Sequence, residues 1–130
     1  FLLALDKTRE SPWIEGSNYF KLTFPVDRAL AATMATGMVN FTPLYAPGGE
    51  VTHLYAGDLH GKVWKLDFTC ASAGNAATSC PSYGYKATAQ WNVASLSSFS
   101  AGAIPYPFFI AADASGHAQP ITSAPRLLTG

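Results

Sequence analysis

The sequence predicts an all-β, loop-rich architecture built from repeated hairpins. The first observation is a short pattern that occurs twice, as Ala56-Gly57-Asp58-Leu59-His60-Gly61 and as Ala111-Ala112-Asp113-Ala114-Ser115-Gly116. Each copy follows an aromatic, strand-like run, Leu54-Tyr55 in one and Phe108-Phe109-Ile110 in the other. An Asp side chain accepts backbone N–H bonds in a turn, and Gly supplies the positive φ that closes it. Asp58 with Gly61, and Asp113 with Gly116, are therefore read as structural hairpin turns. The second observation is the alternation that flanks the first copy. In Lys62-Val63-Trp64-Lys65-Leu66-Asp67-Phe68, Trp64, Leu66 and Phe68 share one face, and Val63, Lys65 and Asp67 share the other. The third is composition: 11 Gly and 9 Pro among 130 residues, with many Ser, Thr and Ala, fit turns better than helices.

Bulk properties narrow the function classes. Apolar residues make up 48% and charged residues 12%, which argues against a disordered chain. Eight acids balance eight bases with no Lys/Arg run, which argues against a nucleic-acid surface or a polybasic membrane anchor. No stretch approaches the roughly 20 apolar residues of a bilayer span. The length suits one domain, residues 1–130 read as a single segment. The chain begins without Met and closes near Leu127-Leu128, so the expectation is a piece of a larger protein.

Taken in order, Phe1 to Leu5 reads as a strand and Asp6 to Pro12 as a polar turn region. Trp13-Ile14-Glu15 is ambiguous, and Tyr19 to Phe24 alternates as a second strand. Arg28 to Ala35 has helix-forming composition but is bounded by Pro25 and Gly37, which leaves a helical turn and a loop equally open. Val39 to Ala46 reads as a strand that Pro47-Gly48-Gly49 ends. Val51 to Phe68 is a β-hairpin around the first corner. The Ala/Ser/Gly-rich stretch that follows, about 69–84, is a Cys-containing insertion loop. Tyr85 to Val93 is expected as a strand and Ser95 to Gly102 as loop. Pro105 and Pro107 mark the entry to a strand over Phe108 to Ala112, and further strands open at Ala118 and Ala124.

Cys70 and Cys80 are the only cysteines. A disulfide across their loop would restrain it by roughly 2–3 kcal/mol and imply an oxidising compartment. Zinc needs about four ligands and no His or Cys pair stands nearby, while a redox dithiol would carry C-x-x-C spacing. The structural disulfide is the expected reading. Catalytic patterns are scarce. His53, His60 and His117 are the only imidazoles, and His60 and His117 read as exposed turn residues. There is no G-x-S-x-G elbow, no phosphate loop and no dinucleotide fingerprint. Asp58 and Asp113 as a glycosidase pair compete with the simpler role of closing their own corners. Trp64 alternates with Leu66 and Phe68 as a core residue, whereas Trp91 and Tyr83-Gly84-Tyr85 are the aromatic candidates for exposure. No catalytic, cofactor or metal residue is assigned.

The stretch Tyr55-Ala56-Gly57-Asp58-Leu59-His60-Gly61-Lys62-Val63-Trp64-Lys65-Leu66-Asp67 resembles the signature hairpin of the PilY-type β-propeller, the C-terminal domain of a type IV pilus biogenesis and tip-adhesin family. Ala112 to Pro125, with Gln119-Pro120-Ile121-Thr122 after its Ser-Gly turn, resembles a second segment of that family in the expected order. Phe1 to Asp6 is a weaker third match. The resemblance implies a partial β-propeller of about two to three antiparallel blades, non-catalytic, in the bacterial cell envelope or outside it. Its implied partners are pilin or minor pilins, the rest of its own propeller and a host-surface receptor. Members of the family often carry an Asp-rich calcium loop. Ala46 to Val51, before the hairpin, holds the single carboxylate Glu50, too few for calcium's six to eight oxygens. Calcium is therefore expected, if at all, elsewhere in a parent protein. Two alternatives belong to other classes: a fragment of a quinoprotein-like propeller oxidoreductase with pyrroloquinoline quinone and calcium, and a secreted carbohydrate-binding β domain.

Overall fold

The computed structural model describes residues 2–4, 12–70 and 84–128. Strand β1 (Leu2–Ala4) pairs antiparallel with β2 (Tyr19–Lys21), and a short helix α1 (Arg28–Ala31) follows. Then come β3 (Met38–Tyr45), β4 (Val51–Asp58) and β5 (Lys62–Asp67). A 3₁₀ turn at Thr88–Gln90 leads to helix α2 (Val93–Leu96). Strands β6 (Ser100–Ala101) and β7 (Ile104–Pro105) form a small hairpin, and β8 (Phe109–Ile110) is the last strand. The main sheet is antiparallel, four strands in the order β3-β4-β5-β8. The protein is β-rich, and its helices among the described residues are single turns.

The hairpin of β4 and β5 forms for the reason its alternation gives. Leu54 faces Leu66 and Ala56 faces Trp64 across the ladder, so one face is wholly apolar. That face carries the core. Leu22, Trp64, Leu66 and Leu96 are all but sealed from solvent, with Phe68 and Val93 beside them. Burying a side chain of this size contributes about 1.5–3 kcal/mol, so this cluster is the main source of cohesion. Phe24 closes on Trp64 edge-to-face at 5.2 Å. β3 joins through the tight turn after Tyr45, where Gly49 takes φ 93° and Ala46 N–H donates to Glu50 O at 2.8 Å. The segment Ala46 to Val51 is thus a hairpin connection.

Three expectations are corrected. Tyr85 to Val93 is not a strand: Tyr85 makes one isolated bridge to Thr69, and the chain then turns helical. Asn92 starts α2 by accepting the Ser95 N–H at 2.9 Å, and Val93 and Leu96, three apart, both bury on the sheet. Lys86 pins this arrangement, its Nζ donating to Asp67 O and Ser95 O at 2.8 and 2.9 Å. Burial holds the Lys86 pKa below the usual lysine range, with Asp67 acting in the opposite direction. Second, the stretch from Ser95 to Gly102 is not all loop, since it completes α2 and contributes β6. Third, the residues from Ala118 onward do not open strands. Ala118 bridges Ala112, and the rest is irregular because Pro120 and Pro125 offer no N–H to a ladder. Side chains of β3 hold that segment instead, Asn40 Nδ2 donating to Thr122 O at 3.2 Å and Thr42 Oγ1 to Pro125 O.

Candidate functional site: two aspartate corners

The first corner joins β4 to β5. Asp58 Oδ1 accepts the backbone N–H groups of His60 and Lys62, each at 2.9 Å. Asp58 Oδ2 accepts the Trp64 indole N–H at 3.2 Å. Asp58 O takes N–H bonds from Gly61 at 3.2 Å and from Ile121 at 3.0 Å. Gly61 adopts φ 79°. A Cβ there would sit 2.5 Å from Ala111 O and 2.7 Å from Gln119 O, so space as well as backbone conformation demands glycine. The corner is interior: Asp58 is 8% and His60 2% exposed. His60 was expected at the surface. Its ring is instead enclosed, with Nε2 at 3.1 Å from Met34 O, an acceptor that makes this ring nitrogen the donor.

The second corner repeats the geometry in the open. Asp113 Oδ1 accepts from Ser115 N–H at 2.8 Å and His117 N–H at 2.9 Å. Gly116 N–H donates to Asp113 O at 2.9 Å and takes φ 84°. Asp113 Oδ2 lies 3.1 Å from His117 Nδ1 where the first corner uses an indole. These bonds, led by the His117 backbone N–H, hold the Asp113 pKa below its ordinary 3.8. The two corners touch through the chain between them. Ala111 N–H donates to Gly61 O at 2.7 Å and Gln119 N–H to Ala111 O at 3.0 Å.

Both carboxylates are committed to backbone donors, and each histidine spends a ring nitrogen within its own neighbourhood. His53 forms a third small group, 3.5 Å from Asp67 Oδ1 and 3.2 Å from Thr52 Oγ1. Thr52 donates to Leu44 O at 3.0 Å, and Asp67 accepts from both the N–H and the hydroxyl of Thr69. The group is closed on itself. Among the described residues no cluster of three or more His, Cys, Asp or Glu is placed to hold a metal ion. Cys70 is in disulfide form, and Cys80, its expected partner, lies outside the described residues together with Tyr83.

Trp91, read as a candidate for exposure, is set into the core's edge. Its ring meets Phe20 at 4.9 Å and Phe68 at 5.5 Å, and its Nε1 is buried without a hydrogen-bond partner. The exposed aromatics lie elsewhere. Phe108 stands between Tyr55, at 6.2 Å, and Phe99, at 5.8 Å, with Lys65 Nζ 5.8 Å above the Tyr55 ring. Tyr106, Phe109 and Ile110, neighbours of Phe108 in the chain, are each more than half exposed. Of the strand expected over Phe108 to Ala112, Phe109–Ile110 pairs as β8 and Ala112 makes an isolated bridge. The exposure of β8 follows from Pro105 and Pro107, which keep the segment at the sheet edge with one neighbour, β5.

The fold and site define a β-rich chain with a four-stranded antiparallel sheet, few helical residues and two Asp–Gly corners. No family model, no curated protein and no solved structure matches the chain. No helix among the described residues is long and apolar enough to cross a membrane.

Proposed function

We propose that this chain is a non-catalytic segment of a β-propeller in a PilY-like type IV pilus protein of the bacterial envelope, acting by surface recognition and pilus assembly. The observation that carries this reading is the commitment of every corner carboxylate to internal donors beside an exposed aromatic edge. Asp58 spends its side chain on His60, Lys62 and Trp64. Asp113 spends its own on Ser115 and His117. Polar groups used this way hold a scaffold, while Tyr106, Phe108, Phe109 and Ile110 offer apolar surface for a partner. A meander of antiparallel strands ordered β3-β4-β5-β8 is compatible with one propeller blade. The resemblance of the first hairpin and of Gln119-Pro120-Ile121-Thr122 to the PilY family supplies the rest. Partners on this reading are pilin or minor pilins, neighbouring blades and a host-surface receptor.

The test is genetic and uses the parent reading frame. Replacing the codons for Tyr106, Phe108 and Phe109 by Ser should reduce surface piliation or adhesion while protein level and secretion persist. Unchanged piliation and adhesion with a stably secreted variant would refute the proposal. Turnover of an alcohol by the parent protein with added pyrroloquinoline quinone and calcium would favour the oxidoreductase class instead.

A further inference from the structure

Beyond the second corner, residues 119–126 take no regular secondary structure. They are nonetheless tied across one face of the sheet. Asn40 faces Gly57 and Thr42 faces Tyr55 in the β3–β4 ladder, so these four share the face turned away from Leu54 and Ala56. Asn40 Nδ2 donates to Thr122 O at 3.2 Å, Thr42 Oγ1 donates to Pro125 O, and Ile121 N–H donates to Asp58 O at 3.0 Å. Each of these bonds engages the strap through its main chain. The Ile121 side chain adds a contact of a different kind. A methyl placed on Gly57 would stand 2.8 Å from Ile121 Cβ and nearer still to its Cγ2, so Ile121 fills the space a side chain at that position would need. Gly57 lacks the left-handed φ of Gly61 and Gly116. Space alone therefore demands glycine there, inside a strand where glycine otherwise weakens the ladder.

The geometry points to this strap as a latch on the first corner: Gly57 is the seat, Ile121 fills it, and the seating seals Asp58 and His60 from water. With the strap seated, Asp58 O holds the Ile121 N–H and Gln119 stands against Gly61. With it released, the Asp58 carboxylate keeps its His60, Lys62 and Trp64 donors, but the corner lies open to solvent as the Asp113 corner does. The hairpin through Asp113 is the hinge. Its own bonds run among residues 111–119 and involve neither β3 nor β4, so it persists in both positions. The burial of the first corner thus rests on a side chain missing from β4 and not on the corner motif itself. The latch is independent of the pilus reading, because the aromatic edge takes no part in it.

The experiment is amide hydrogen exchange by NMR on the ¹⁵N-labelled full chain carrying Gly57→Ala, Ile121→Gly or both. The Phe68 amide, which donates to Thr52 O away from the strap, reports global stability. Overpacking by one methyl is expected to speed exchange at His60 and Lys62 by about tenfold or more over any change at Phe68 in Gly57→Ala. Ile121→Gly, at a half-buried position, should keep the fold and give the same selective acceleration. In that background Gly57→Ala should speed exchange no further, because the space is empty and the backbone at 57 suits any residue. Should Gly57→Ala not fold by itself, a double variant that folds supports the latch and one that also fails to fold overturns it. Uniform acceleration at His60, Lys62 and Phe68, unchanged exchange at Lys62 in either single variant, or a Gly57→Ala effect of equal size with and without Ile121 would overturn it as well.

Discussion

At Asp58 and at Asp113 the backbone makes the same closure: N–H groups two and four residues on donate to one carboxylate oxygen, and a glycine three residues on turns left-handed. What surrounds the two corners differs completely. The first is roofed by Ala111, Gln119 and Ile121 and floored by the Trp64 indole. At the second, the side chain set against the carboxylate is His117, itself 78% exposed. One local design therefore serves as a keystone in one place and as a surface hairpin cap in the other. A buried donor that loses its acceptor costs its full desolvation, whereas an exposed one turns to water. Position in the packing, more than the motif, sets how much each corner matters.

Glycine replacement should separate the corners most. Gly61→Ala adds a methyl against two carbonyl oxygens and strains φ, and a loss of at least about 3 kcal/mol in urea unfolding is expected. At Gly116 nothing stands within 4 Å, so Gly116→Ala should cost about 1 kcal/mol from backbone strain alone. Comparable losses at the two sites would break the comparison. The aspartates come next. Asp58→Ala strands two buried donors and a partly buried one, and a loss of about 3 kcal/mol is expected from equilibrium unfolding. Asp113→Ala should lower the midpoint far less.

Acid sharpens the contrast at smaller amplitude. The Asp113 pKa is held below its ordinary value, so the second corner's contribution is intact above that value and fades as pH falls through the lowered one. A carboxyl NMR titration should show this depressed midpoint. Because the His117 backbone N–H is the leading cause, His117→Ala should leave most of the depression in place, and its disappearance would show that the imidazole dominates. A subtler check concerns the loop beyond β5. Intact mass of unreduced protein from an oxidising compartment should show Cys70 bridged to Cys80, and two free thiols would defeat that pairing. Reduction is expected to spare the first corner, which no cysteine contacts in the bonds above.

Much of the sheet is legible in the residues themselves. Val51 to Phe68 alternates strictly enough to dictate a hairpin, and Pro47-Gly48-Gly49 marks where β3 must turn into β4. Tyr85 to Val93 is not, because the signal for α2 is one Asn cap and a single i, i+3 apolar pair, shorter than any periodic window. Burial is the other silent quantity. His60 and His117 occupy similar turns, and nothing local tells that a distant Met34 carbonyl and the 111–121 segment enclose the first. Trp91 likewise reads as a candidate for exposure beside the insertion until Phe20, far back in the chain, is placed against it.

Native-state hydrogen exchange tests the keystone claim most directly. The His60, Lys62 and Ile121 amides should exchange only through global unfolding, with protection matching the stability measured in urea, while those of Ser115 and His117 exchange through local opening many times faster. Equal protection at the two corners, or fast exchange at Lys62 in the intact protein, would contradict the account.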